Sequence, residues 1–190
     1  MIYIKAAFKE ISFLLHDYRI GTGRRKLRML HYWFAPSFCG ILPYRLEQFA
    51  YLFTKGHWQW LRVFILPLLR LAQVYSNCQI NHHASIDQRI KILHNSLGIV
   101  INCKAVIGSN LTLTDGNCVG GKKAFKQGEF IIGNHYNLGA SAIIMGPLKL
   151  GHNVIIGAGA VVIRNFGNNF TLIGILAKQA KKITQLKHYR

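Results

Sequence analysis

From Ile80 onward, aliphatic residues return at every sixth position. The series runs Ile80, Ile86, Ile92, then Ile101, Ile107, Leu113, Val119, then Ile132, Leu138, Ile144, Leu150, Ile156, Val162. Glycine often follows directly, as at Ile107-Gly108, Ile132-Gly133 and Ile156-Gly157. Small or aliphatic residues recur four places on, at Ala84, Ala105, Ala142, Val154 and Ala160. This period fits neither a helix nor an alternating strand. It is the hexapeptide repeat of a parallel β-helix. Each hexapeptide makes one flat side of a triangular prism and sends its aliphatic residue inward. Glycine relieves backbone strain at the corner. About 18 residues close one coil, so the thirteen aliphatic positions predict about four coils.

Two interruptions break the period. The spacing from Ile92 to Ile101 is nine, and from Val119 to Ile132 it is thirteen. The second insert, around KKAFKQGEF (122–130), is expected to protrude as a loop. Insertions on repeat scaffolds tend to carry function.

Before residue 78 the apolar spacing is helical. Phe8, Ile11, Leu15 and Tyr18 mark one helical face, Leu46, Phe49, Ala50 and Phe53 another, and Leu61, Phe64, Ile65, Leu68 and Leu69 a third. Pro36, Pro43 and Pro67 punctuate or kink these helices. The fold class is therefore α+β: a helical region over 1–77, a left-handed β-helix over 78–175 and a basic tail over 176–190.

Charge narrows the partners. Lys and Arg number 24 against 6 Asp and Glu, a net +18 that favours anionic ligands or surfaces. No nucleic-acid module or basic recognition helix is present, so nucleic acid is not expected as a partner. Cys39, Cys78, Cys103 and Cys118 form no C-x-x-C pair, so reduced thiols are expected and no metal. The N-terminal stretch is interrupted by Lys5, Lys9 and Glu10 and does not resemble a signal peptide. The apolar window Leu61–Val74 carries Arg62, Pro67 and Arg70 and is too short to span a bilayer. A cytoplasmic protein is expected, with peripheral contact at the inner face of the membrane. Eleven Lys and Arg against three acids before residue 78, with Trp33, Phe34, Trp58 and Trp60, motivate that contact.

Residues 79–182 resemble the hexapeptide acyltransferases of the serine-acetyltransferase branch. In IKILHNSLGIVINCKAVIGSNLTLTDGNCVGG (90–121), a histidine stands four residues before Gly-Ile-Val and a Gly-Gly turn follows. LGASAIIMGPLKLGHNVIIGAGAVV (138–162) is similar to that branch's cofactor-binding coils. LIGILAKQAKK (172–182) resembles its closing Gly-x-Pro-Ala-Lys segment, with Leu176 in the place of proline. The short helical region is more like that of exopolysaccharide acetyltransferases of the colanic-acid type.

The resemblance implies acetyl-CoA as acyl donor, His94 as general base and a homotrimer or a multiple of trimers. A positioned imidazole makes a hydroxyl a competent nucleophile. The alternative for His94 is a surface histidine, one of nine. The branch's partner aspartate falls on Gln79, which is no carboxylate. Repeat arithmetic offers Asp115, two places after Leu113 as His94 is two places after Ile92, so the two stack about 4.8 Å apart. Asp115 is then expected to orient the imidazole and stabilise its protonated form; otherwise it is a solvated surface acid.

The resemblance places the pantetheine arm beside Gly120, Gly121, Ala140, Ala158 and Gly159, and CoA phosphates near Lys178, Lys181 and Lys182. Corner geometry accounts for those glycines equally well. Gln79, Asn81 and the loop residue Glu129 are candidate acceptor contacts. Leu93 stands where the serine enzymes carry an aspartate for the amino acid, and Asn81 replaces a further histidine. These departures favour a saccharide O-acetyltransferase of capsule, exopolysaccharide or lipopolysaccharide synthesis. Serine O-acetylation is the alternative, and a non-catalytic β-helix docking protein is a third.

Overall fold

A computed structural model describes residues 2–22, 31–54, 57–121 and 126–182. Three helices come first: α1 (Ile2–Thr22), α2 (Pro36–Phe53) and α3 (Trp58–Ser76). Pro36 opens α2, where a missing N–H costs nothing. Asn77 closes α3 in the left-handed conformation, φ 53°.

Fifteen short strands follow among the described residues, in three sheets. Sheet A orders β1 (Cys78–Ile80), β4 (Ile99–Ile101), β7 (Cys118–Gly121), β10 (Ile143–Gly146) and β13 (Val161–Val162). Sheet B contains β2 (Ser85–Ile86), β5 (Val106–Ile107), β8 (Phe130–Ile132) and β11 (Leu148–Leu150). Sheet C contains β3 (Ile90–Ile92), β6 (Leu111–Leu113), β9 (Tyr136–Leu138), β12 (Val154–Ile156), β14 (Phe170–Ile173) and β15 (Lys178–Lys182). Successive strands visit A, B and C in turn, so β1–β12 complete four coils. All pairings are parallel except β14–β15.

All thirteen aliphatic positions of the repeat are buried. Ala84, Ala105, Ala142 and Ala160 are also wholly buried where the wall turns. At Gly133 an added Cβ would lie 2.1 Å from the Gly151 carbonyl oxygen, so that corner admits no side chain. Residues 178–182, expected within a basic tail, form β15 against β14; residues 183–190 lie outside the described residues.

The helices pack as a layer over the first coil, α1 on α2 and α2 on α3. Their apolar stripes do not face the β-helix. Phe8, Leu15, Leu46, Phe53, Phe64 and Leu68 are all exposed. The inward face carries Ala7, Glu10, Phe13 and Asp17 on α1, and Phe38, Ile41, Tyr44, Arg45 and Gln48 on α2.

The physical reason lies in the open edge of the first coil, whose backbone groups have no preceding strand to pair with. Tyr44 Oη donates to the Ala84 carbonyl and accepts from the Ile86 N–H. Arg45 donates to the carbonyls of Ile86 and Asp87, both at 2.7 Å. Gln48 Nε2 donates to Ala84, and Asp17 Oδ1 accepts from the Ile90 N–H. Arg45 is held in turn by Asp17 at 2.9 Å and Glu10 at 2.8 Å. Burial pushes both carboxyls up, and the guanidinium between them pulls them back.

Candidate active site

Strand register fixes where the candidate residues stand. Ile92 pairs with Leu113, Thr112 with Asn137, and Leu138 with Ile156. His94, Asp115, Ala140 and Ala158 each lie two residues beyond these sheet C positions, at the corner leading into sheet A. Asp115, Ala140 and Ala158 form one column along a single edge of the prism; in the first coil Gly98 is level with Asp115, and His94 stands four residues earlier on the inserted loop. With Gly98 included, at about 4.8 Å per strand the column spans roughly 14 Å. Backbone bonds tie its turns together, Gly116 N–H to Gly98, Ser141 N–H to Asp115 and Gly159 N–H to Ala140.

His94 is exposed beside the head of this column, on the loop between β3 and β4 that absorbs the three extra residues. The loop is fastened on several sides. Asn95 Nδ2 donates to the Ser76 carbonyl at the end of α3. Asn77 Nδ2 donates to the Ser96 carbonyl at 2.7 Å, and the Gly98 N–H returns to the Asn95 carbonyl. Asp115 Oδ1 accepts from the Ser96 N–H at 2.7 Å.

Asp115 therefore holds the loop that carries His94. No hydrogen bond or ion pair joins its carboxylate to the imidazole in this structure. The inserted residues 95–97 bring the Ser96 amide over the carboxylate, which repeat arithmetic alone did not anticipate. Asn77, Asn95 and Ser96 are the participants that sequence reading missed. Their signal was the insertion itself, which marks a loop in need of anchors.

The other candidates separate into groups. Ala140, Ala158 and Gly159 are exposed on the column, so a narrow arm can lie against its backbone. Gly159 has φ 65° and nothing near an added Cβ, which leaves that surface open. Next to it, a Cβ at Gly139 would meet the Ala158 amide nitrogen at 2.6 Å. Gly120 and Gly121 lie at the far end of β7, paired with Met145 and Gly146. A Cβ at Gly120 would press on Met145 Sδ at 3.3 Å. Lys178 is exposed at the start of β15, opposite Ile173; the side chains of Lys181 and Lys182 lie outside the described set. Leu176 has φ 60°, a conformation closed to proline, whose ring holds φ near about −65°. The closing segment thus follows its own path, a tight hairpin between β14 and β15.

Gln79 lines an open groove of about 320 Å³ between α3 and sheet A, with Arg70, Gln73, Gly98 and Val100. The groove borders the His94 loop. Asn81 is exposed, and its Oδ1 accepts from the His83 N–H and builds a turn. Glu129 caps the turn 126–129 through the Lys126 N–H; residues 122–125 of the expected loop lie outside the described residues. Leu93 and Leu97 flank His94 with apolar surface, 46% and 72% exposed.

No family model matches the chain. The putative colanic acid biosynthesis acetyltransferase WcaB of Escherichia coli K12 is 32% identical over 150 residues, covering 77% of this chain and 91% of that protein. The chain belongs to the hexapeptide-repeat acetyltransferases, the family whose acyl donor is acetyl-CoA. The serine acetyltransferase of Synechococcus elongatus is 32% identical over 125 residues, 63% of this chain and 50% of that one. Among solved structures, serine acetyltransferase from Neisseria gonorrhoeae superposes with a TM-score of 0.77 at 21% identity, over 97% of this chain and 69% of that chain. The Brucella abortus strain S19 enzyme in complex with coenzyme A gives a TM-score of 0.77 at 22% identity, over 96% and 72%. At these identities the superpositions speak for the fold.

Proposed function

We propose that this acetyltransferase moves an acetyl group from acetyl-CoA to a sugar hydroxyl in capsule, exopolysaccharide or lipopolysaccharide synthesis. The fate of the carboxylates carries the choice of acceptor. The chain has six on its side chains: three are buried in ion pairs within the helical layer, and the other three each accept a backbone N–H. Glu10 and Asp17 hold Arg45. Glu47 holds Arg62 and His82. Asp87 accepts from Gln88, Glu129 from Lys126 and Asp115 from Ser96. Serine would bring an ammonium group to a chain of net charge +18, where apolar Leu93 and Leu97 flank His94 and the carboxylate of Asp115 already accepts the Ser96 N–H. A sugar hydroxyl needs no counter-ion.

The donor supplies an activated thioester. The exposed small residues Ala140, Ala158 and Gly159 fit its pantetheine arm, and Lys178 its phosphates. Gly120, Gly121 and Gln79 border the same sheet. His94 takes the proton from the acceptor hydroxyl as that oxygen attacks the thioester carbonyl, then returns it to the departing thiolate. Asp115 acts as a positioning residue through Ser96. Partly exposed Val100, Ile143, Met145 and Val161 on the outer face of sheet A support packing of copies in a homotrimer. The reading includes work at the inner face of the membrane, where glycan precursors are assembled.

Thiol release from acetyl-CoA, measured over a panel of glycans and serine, tests the acceptor. A glycan is expected to be turned over at least about a hundredfold faster per mole than serine, the scale a mismatched polar site imposes. Equal or faster turnover of serine would return the protein to serine O-acetylation.

A further inference from the structure

Trp60, Val63, Phe64, Leu68, Leu71, Val74 and Tyr75 are between 57% and 83% exposed along α3. At about 100° per residue they share an arc of roughly 140°, extending about 22 Å along the helix. Pro67 lies within the same arc and Arg70 borders it; both are exposed. An apolar strip of this size on a soluble surface marks a contact site. No helix among the described residues is long and apolar enough to cross a membrane.

Arg70 at its border and the charge of the helical layer as a whole indicate what the strip contacts. The three acids before residue 78 are Glu10, Asp17 and Glu47, all buried and paired with Arg45 or Arg62. The exposed charge of the described helical layer is therefore all positive, with Lys5, Lys9 and Arg70 at its surface. A second copy meeting this face through its own helical layer would bring exposed charge of the same sign. An anionic bilayer brings the complementary sign and an interface that accepts Trp and Phe.

We propose that the outer face of α3 is a membrane-docking surface that seats the enzyme on anionic lipid. The C-terminal end of that helix is joined to the catalytic loop. Asn95 reaches the Ser76 carbonyl, Asn77 reaches Ser96, and the groove beside Gln79 runs between Val74 and Val100. Exposed Leu93 and Leu97 continue the apolar surface to His94. Docking thus holds His94 near the headgroup layer, where it meets acceptors carried on lipid anchors. This last step rests on the saccharide reading; the docking does not.

Co-sedimentation of the full chain with vesicles of phosphatidylethanolamine and phosphatidylglycerol tests the surface without any acceptor. The wild type is expected to bind these vesicles and not pure phosphatidylcholine, and to release as the Debye length shortens toward about 3 Å at 1 M salt. Phe64→Glu with Leu68→Glu is expected to weaken binding at least about tenfold, through lost apolar area and added like charge. The gentler pair Phe64→Gln and Leu68→Gln serves if the first does not fold, as judged by thermal melting. Thiol release with a water-soluble glycan should stay unchanged in either pair, while turnover of a lipid-anchored glycan falls. No wild-type binding at low salt, or undiminished binding by the folded variants, overturns the docking surface. So does a drop in the variant's solution mass, which would assign α3 to contact between copies. If docking holds and no glycan is acetylated, the saccharide reading alone fails.

Discussion

The thirteen inward positions of the β-helix are all aliphatic, whereas the helical layer turns Glu10, Asp17, Tyr44, Arg45 and Gln48 toward the same prism and leaves its apolar stripes outside. The two regions meet different needs. Along the prism each coil satisfies the backbone of the next, so the interior chiefly has surface to bury, and aliphatic side chains fill it with Phe130 and Tyr136 among them. At the first coil the backbone has no neighbour, and side-chain donors and acceptors must replace it. Charge is thus buried where the repeat begins, and the column of Asp115, Ala140 and Ala158 stands where the repeat continues.

The largest expected effect breaks the cap. Arg45→Met takes the guanidinium from two buried carboxylates and two backbone carbonyls, and is expected to cost about 3–5 kcal/mol in urea unfolding. A loss below about 1 kcal/mol would show that the cap contributes little.

His94→Ala sharpens the other side. Turnover on the true acceptor is expected to fall on the order of a hundredfold or more, with an unchanged melting temperature. A purified variant with near-normal activity would remove His94 from the base position.

Packing along the prism comes next. Gly133→Ala drives a methyl into the Gly151 carbonyl and is expected to cost about 1–3 kcal/mol, read by urea or thermal unfolding. An unchanged midpoint would mean that the corner yields freely.

Asp115 separates two roles. Asp115→Ala frees the Ser96 amide and is expected to lower kcat about tenfold with the donor KM unchanged. Asp115→Asn keeps an acceptor oxygen for that amide and is expected to retain most activity. An Asn variant as poor as the Ala variant would show instead that the negative charge serves the imidazolium.

The smallest effect lies between the regions. Burial, and then the nearby His82 and Arg62 charges, hold the His83 imidazole below its ordinary value. A lowered value means that the unfolded chain binds this proton first. The associated stability is present above about pH 6.5 and is lost as pH falls through the lower folded value. His83→Gln is therefore expected to narrow the gap in melting temperature between neutral and mildly acid pH. A gap as wide as that of the wild type would assign the pH response elsewhere.

The six-residue period determined the β-helix, its coil count and its inward residues, because a stacked repeat makes each position's environment the same in every coil. That periodicity also put Asp115, Ala140 and Ala158 on one edge, a register the backbone bonds between their turns repeat. The helical stripes were legible as helices but not as a surface, since a moment shows that two faces differ and not which one is buried. The side that meets the β-helix depends on which backbone groups its first coil leaves open, and those exist only once the coil is formed. The partner of Asp115 was decided in the same way. A three-residue insertion sets the length of a loop, but only the folded corner, with Asn95 on Ser76 and Asn77 on Ser96, brings the Ser96 amide to the carboxylate.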